Sequence, residues 1–237
     1  MTYDTEREER LREMDIAPVW RRRAQPAPNG AAGSRAMPTR EQAIALLRWE
    51  DLDPHIAGCT ACALGSTRRN AVPGVGSATA QWMFVGEAPG AEEDAKGEPF
   101  VGQAGRLLDN MLRAIGLDRA RDVYIANVLK CRPPNNRNPE PGEVALCSPY
   151  LERQLALIRP RVIIALGRFA AMTLLNTDSS IASLRGRLHQ YRGVPLIVTY
   201  HPAYLLRNLP DKAKAWEDLV FARRTFLRLQ SEANAPS

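Results

Sequence analysis

The sequence predicts an α/β fold built on a central four-stranded, mostly parallel sheet, and three observations carry that prediction. Four short apolar runs, Trp82–Val85, Val123–Ala126, Val162–Leu166 and Leu196–Tyr200, have the length of buried strands. Helical patterns lie between and after them. Leu107, Leu108, Met111, Leu112 and Ile115 recur on one helical face, and residues 143–158, 168–175 and 211–229 are patterned likewise. Such alternation calls for parallel strands joined by right-handed crossovers. Finally, each run stops at a polar or glycine-bearing stretch: Glu87, Asn127, Gly167-Arg168 and His201-Pro202. In an open sheet of this kind Glu87, Asn127 and His201 emerge on one edge and line a single crevice.

With 237 residues the chain is long enough for one sizeable core and a tail. No apolar run approaches the roughly 18 residues that cross a bilayer, so a membrane role is excluded and a soluble protein expected. The first twelve residues are highly charged and are no secretory signal, which makes a cytoplasmic, nucleoid-associated location the expectation. A net charge of +6 favours an anionic partner without identifying it.

In chain order, residues 1–15 mix Glu and Arg with too little apolar surface to hold more than a frayed helix. From Ile16 to Arg40 there are five arginines and no acid, and ten of the fifteen residues Ala24 to Pro38 are Ala, Gly or Pro. Residues 1–38 are therefore expected to form a disordered extension, in which Arg21-Arg22-Arg23 offers a contact to a replication or repair protein or to a phosphate backbone. A helix is expected from Thr39 to Glu50, with Thr39 as N-cap and Gln42 closing a capping box. The folded domain is expected to span 39–230 as a monomer, with 231–237 as a tail.

The stretch after the first strand, Gly86-Glu87-Ala88-Pro89-Gly90-Ala91-Glu92-Glu93-Asp94, runs on to Pro99-Phe100-Val101-Gly102. Its glycines and prolines read as a loop, and its acids crowd where a solvated surface does not need them. The four cysteines form a C-x2-C pair, Cys59 and Cys62, followed after 68 residues by Cys131 and after 15 more by Cys147. In a reducing compartment that spacing favours a metal site over disulfides. Four thiolates suit tetrahedral zinc or a [4Fe-4S] cluster, and their number does not separate the two. The Cys131–Cys147 loop also carries Lys130, Arg132 and Arg137, a basic surface that such a site would hold in place.

Four motifs in order, Gly86-Glu87-Ala88-Pro89-Gly90, Pro99-Phe100-Val101-Gly102, Asn127-Val128-Leu129-Lys130-Cys131-Arg132-Pro133-Pro134 and His201-Pro202-Ala203-Tyr204-Leu205-Leu206, together with the cysteine quartet, resemble the iron-sulfur (family four) uracil-DNA glycosylases. The resemblance runs from about Arg40 to Leu229. It implies the three-layer α/β/α fold of the glycosylases, a [4Fe-4S] cluster rather than zinc on Cys59, Cys62, Cys131 and Cys147, and hydrolysis of the N-glycosidic bond of uracil in DNA, leaving an abasic site for base excision repair.

Position by position, the resemblance makes Phe100 the aromatic on which a flipped uracil stacks and Asn127 the amide that reads its edge. His201 becomes the donor to O2, where charge develops as the bond breaks. Glu87 and Ala88 are expected against the ring, Glu87 near C5 where it obstructs the methyl of thymine. Glu93 or Asp94 is expected to place the water. Leu205, or as second choice Leu206, is the expected wedge that fills the gap left by the extruded nucleotide, with Arg207 beside it on a phosphate. Some relatives bind uracil-DNA covalently through a histidine in a basic insertion ahead of the third cysteine. Here only Val128, Leu129 and Lys130 separate Asn127 from Cys131, so turnover is expected.

Three other readings stay open at the level of sequence. One is a glycosylase for another deaminated base such as hypoxanthine, or for uracil only in mismatches. Another is a non-catalytic Fe-S module that binds DNA or accompanies a polymerase, although backbone binding alone needs none of Glu87, Asn127 and His201. The third is an Fe-S electron carrier, which predicts no base release.

Overall fold

A computed structural model describes residues 9–15 and 38–233. The chain divides into two units at Pro38/Thr39. Of the first, residues 9–13 form a short helix. The rest of the expected 1–38 extension, with Arg21-Arg22-Arg23, lies outside the described residues. The second unit carries the sheet and everything that follows.

Helix α1 (Arg40–Ala45) opens on the expected capping box: the Thr39 hydroxyl accepts from the Gln42 amide, and the Thr39 amide donates to Gln42 Oε1 at 2.9 Å. The helix expected to reach Glu50 instead stops here. The Arg153 side chain donates to the Leu47 carbonyl at 2.6 Å, and Arg48, paired with Glu50 and Asp51, starts a second helix, α2 (Trp49–Ala57). After α3 (Leu64–Thr67) come β1 (Val75–Gly76), β2 (Trp82–Gly86), α4 (Ala91–Lys96), α5 (Gln103–Ala114) and β3 (Val123–Asn127). A 3-10 turn at Pro134–Asn136 leads to α6 (Pro141–Ile158), β4 (Val162–Leu166), α7 (Arg168–Leu175), α8 (Ile181–Leu184) and β5 (His189–Tyr191). The chain continues through β6 (Val194–Thr199), α9 (Pro202–Arg207) and α10 (Asp211–Ala233). The last helix thus runs three residues past the expected boundary at 230.

The sheet has six strands, not four, in the order β1-β3-β2-β4-β6-β5. Its inner four, β3-β2-β4-β6, are the parallel strands expected from the apolar runs. Two antiparallel edges were missed: β1 is only two residues long, and β5 is His189-Gln190-Tyr191, without an apolar alternation to mark it. Side chains of the inner strands alternate between two cores. Trp82, Phe84, Ile125 and Ile164 meet α5 and α10 on one face, while Met83, Val85, Ala126 and Ile163 meet α6 and α7 on the other. That is the α/β/α layering.

The register decides where chemistry can sit. Gly86 pairs with Asn127 and Leu166 with Thr199, so β2, β3, β4 and β6 end level along one edge. No helix among the described residues is long and apolar enough to cross a membrane.

Candidate active site

A cleft of about 860 Å³ opens along that edge, and Glu87, Ala88, Glu93, Phe100, Asn127 and His201 all line it. Residues up to 114 positions apart in sequence thereby line one cleft. Each is held by a local feature that the structure makes explicit.

The stretch after β2, expected as a loop, contains a short helix, α4. Its N-terminus is a capping box in which Glu93 Oε2 accepts from the Gly90 amide at 3.1 Å. Glu93 Oε1 reaches across to the amides of Val101, at 3.1 Å, and Gly102, at 3.4 Å. Between them these contacts pin Phe100, whose φ of +54° lies in the left-handed region that a bulky side chain avoids. The Arg119 guanidinium adds a hydrogen bond to the Pro99 carbonyl at 2.5 Å, and itself pairs with Asp109. A strained backbone held this firmly is typical of a functional position. Phe100 is 6% exposed, and its ring stacks with that of His201, centroids 5.4 Å apart.

Asn127 ends β3 with 2% exposure, and among the described residues its Oδ1 has no hydrogen-bond partner. A buried acceptor left open costs stability unless something else fills it. Below it, Lys130 Nζ donates to the Asn127 carbonyl at 2.8 Å and to Gln154 Oε1 at 2.7 Å. Gln154 in turn holds the Pro73 carbonyl and the Tyr124 hydroxyl. Lys130 is 1% exposed, and burial pulls its ammonium down to about 8. It therefore supports Asn127 from behind instead of forming the basic surface expected of it.

His201 caps α9, and its Nδ1 accepts from the Ala203 amide at 3.1 Å. In the neutral ring the proton is then on Nε2. Burial, with the Arg207 guanidinium adding to it, pushes the imidazole down to about 4, so the ring is a neutral donor at physiological pH. Gly167, at φ +92°, makes room for it: a β-carbon there would stand 2.8 Å from His201 Cβ. Glu87 is half-buried, and burial raises its carboxyl to about 7.

Other expected site residues lie elsewhere. Asp94 is buried but turned away from the cleft, with Oδ1 accepting from the Arg69 amide at 2.9 Å and the Asn70 amide at 3.3 Å. Leu205, the first choice for the wedge, is 1% exposed and belongs to the core, whereas Leu206 is 38% exposed. A helix turn puts neighbours on different faces, and two consecutive leucines do not reveal which faces out. Arg207 lines the cleft. Arg137 lines it too, but is tied to Glu143 at 2.5 Å and Glu140 at 3.3 Å, and Arg132 bonds Asn136. Sequence reasoning gave no role to Tyr200, Tyr204 and Phe169, which also line the cleft, although the places of Tyr200 and Phe169 soon after strand ends were an available signal.

The four cysteines surround one small cavity beside Ala88 and Leu129, with Arg40, Arg68 and Tyr150 at its border. Arg68 Nη1 donates to Cys131 Sγ at 2.7 Å, Arg40 Nη2 to Cys59 Sγ at 3.5 Å and the Lys130 amide to Cys147 Sγ at 3.3 Å. Among the described residues no group of three or more Cys, His, Asp or Glu is arranged to hold a single metal ion, while sulfur atoms met by cationic and amide donors suit a larger anionic thiolate-bound group.

Residues 73–220 match the family model described as the uracil DNA glycosylase superfamily. The chain belongs to this superfamily. Among curated relatives, the superfamily member is 52% identical to the type-4 uracil-DNA glycosylase of Archaeoglobus fulgidus over 66% of this chain and 82% of the relative. It is 46% identical to the type-4 uracil-DNA glycosylase of Sulfurisphaera tokodaii over 71% of this chain and 80% of the relative. With that of Thermotoga maritima it shares 46% over 75% of this chain and 91% of the relative. These alignments cover most of each relative's length, and the cleft residues, from Glu87 to Arg207, fall within the residues 73–220 that the superfamily model matches.

Proposed function

We propose that this protein is a uracil-DNA glycosylase of base excision repair: it extrudes uracil from DNA and hydrolyses its N-glycosidic bond, leaving an abasic site. The open Oδ1 of Asn127 carries the reading. An amide at the floor of a cleft offers one acceptor and one donor, the complement of the N3–H and O4 pair on uracil's edge. The Phe100 ring supplies the stacking face, and Glu87 lies where it obstructs a methyl at C5.

Bond cleavage leaves negative charge on the departing base. A neutral His201, protonated on Nε2, donates to uracil O2 without desolvating a second charge, and a preorganised donor of this kind contributes roughly 3 kcal/mol. Its low pKa means that it donates a hydrogen bond and keeps its proton. Of the two acids expected to place the water, Glu93 is the one in the cleft. Its Oε2 accepts one amide and keeps a free lone pair for the water. Leu206 is the wedge that replaces the extruded base in the stack, and Arg207 meets a phosphate beside it.

Cys59, Cys62, Cys131 and Cys147 would hold a [4Fe-4S] cluster, whose chemistry here is structural cross-linking. These residues tie the turn after α2 and the loop after Asn127 to α6. The protein acts as a monomer on DNA in the cytoplasm, and its N-terminal extension supplies the contact to other repair or replication proteins.

The deciding experiment is release of uracil from a labelled oligonucleotide, with a thymine-containing strand as control and the visible spectrum recorded on the same sample. Brown protein that releases uracil and leaves thymine is the expected result. Protein that binds the strand and releases nothing would overturn the assignment.

A further inference from the structure

The uracil reading leaves Tyr200, Tyr204, Phe169 and Arg168 of the cleft lining without a role, and a cavity of about 860 Å³ has space for much more than one pyrimidine ring.

Tyr200 and Tyr204 are stacked, with centroids 5.2 Å apart and planes 12° apart. Both rings are half-buried, and both line the cleft. The pair is firmly held. The Tyr204 hydroxyl donates to Asp211 Oδ2 at 2.6 Å, and the Arg185 guanidinium sits 5.8 Å from the Tyr200 centroid. Arg185 is itself fixed by the Lys214 carbonyl and by Asp218, which also accepts from the Thr199 hydroxyl at 2.9 Å. Tyr200 is thus covered by Arg185 and Tyr204, and the face of Tyr204 that Tyr200 does not cover is the aromatic surface left for a ligand. Arg168 and Arg207 are exposed and have no salt-bridge partner among the described residues, although the lining also carries Glu87, Glu93 and Asp178.

Aromatic faces in a groove bordered by guanidinium groups make a stacking platform for single-stranded nucleic acid, because every base has a π-face and every linkage a phosphate. The geometry points to a second base subsite, in which Tyr204, backed by Tyr200, receives the base of the nucleotide next to the extruded uracil. This rests on the uracil-DNA reading. Tyr200 immediately precedes His201 and Tyr204 lies on the turn after it, so a strand with its uracil beside His201 must carry a neighbouring nucleotide past these rings.

The test is a coupling measurement. Single-stranded oligonucleotides carry a cleavage-resistant 2′-fluoro-deoxyuridine whose neighbour on one side, then on the other, is either adenine or a tetrahydrofuran abasic residue. Kd is measured for wild type, Tyr204→Leu, Tyr204→Phe and Tyr200→Leu. Removing the neighbouring base on one side weakens wild type and Tyr204→Phe about tenfold, and leaves the binding of Tyr204→Leu unchanged. If Tyr204→Leu does not fold, Tyr200→Leu shows the same insensitivity. Equal losses in wild type and the leucine variants, or no loss in wild type on either side, would overturn the subsite. Failure of the uracil reading is separate: wild type would then release nothing from an unmodified uracil strand.

Discussion

Gly86 and Asn127 stand side by side at the paired ends of β2 and β3, so close that a β-carbon on Gly86 would overlap Asn127 Oδ1 and lie 2.7 Å from Phe100 Cζ. The missing side chain is what lets the amide and the aromatic ring share one pocket floor. Gly86→Ala is therefore expected to keep its fold, by circular dichroism, and lose about 100-fold or more in single-turnover uracil release, since a displacement on the order of 1 Å in a reacting complex costs that much.

His201 contributes as a neutral donor. His201→Ala should lower kcat by roughly 10²–10³-fold with a much smaller effect on KM, because the hydrogen bond strengthens only as charge develops on the base. The wild-type rate should not fall from loss of a His201 proton anywhere from pH 5 to 9, since its folded pKa of about 4 leaves the ring neutral throughout. A pH–rate profile of wild type decides this: a drop near 6.5 that the alanine variant lacks would contradict the neutral ring.

Glu87 has the opposite sign. Its carboxyl titrates at about 7 in the folded protein against 4.5 ordinarily, so the native state holds the proton more tightly than the unfolded chain. Below about pH 4.5 both states are protonated and nothing is lost; as pH rises to 7, ionisation progressively destabilises the fold. Glu87→Gln is expected to stabilise the protein by roughly 2 kcal/mol at pH 8, allowing for partial exposure, and to leave stability unchanged at pH 4. Denaturant melts at the two pH values measure it. Glu87→Ala should also narrow the preference for uracil over thymine by about 10–200-fold, the scale set by one methyl group in a pocket.

Leu205 and Leu206 separate stability from function. Leu205→Ala is expected to lose about 2–5 kcal/mol of stability, as deletion of a core leucine does. Leu206→Ala should leave the melting temperature unchanged and slow excision from duplex DNA more than from single strands, where no gap in a base stack needs filling. Parallel assays on the two substrates show the contrast.

Cys131→Ser should reduce iron content well below the roughly four atoms per chain expected for wild type, and lower the melting temperature. The loss reaches catalysis indirectly. Cys131 lies in the loop next to Lys130, which holds the Asn127 carbonyl, so uracil release should fall along with thermal stability. Iron analysis and calorimetry on one preparation would show whether the two fall together.

Much of this molecule is determined by sequence alone, wherever a signal is local or periodic. Trp82–Val85 and Val162–Leu166 are buried strands because strands of that length, covered by helices on both faces, need apolar residues at every position. Thr39 and Gln42 cap a helix because their side chains reach backbone groups three residues away. That Glu87, Asn127 and His201 share one edge follows from parallel topology. Tertiary structure alone decided the rest, because it depends on which groups meet across the fold. The two edge strands are recognisable only by the partners they pair with. Lys130 carries a charge that reads as surface, yet it is buried under Asn127 because Gln154, 24 residues on, and a carbonyl satisfy its ammonium. Glu93 and Asp94 are indistinguishable as adjacent acids, but one turn of helix, advancing about 100° per residue, sends the first into the cleft and the second to the amides of Arg69 and Asn70. The same rotation separates Leu206 from Leu205. Side-chain direction on a short helix is set by what that helix packs against, and the local sequence does not contain that information.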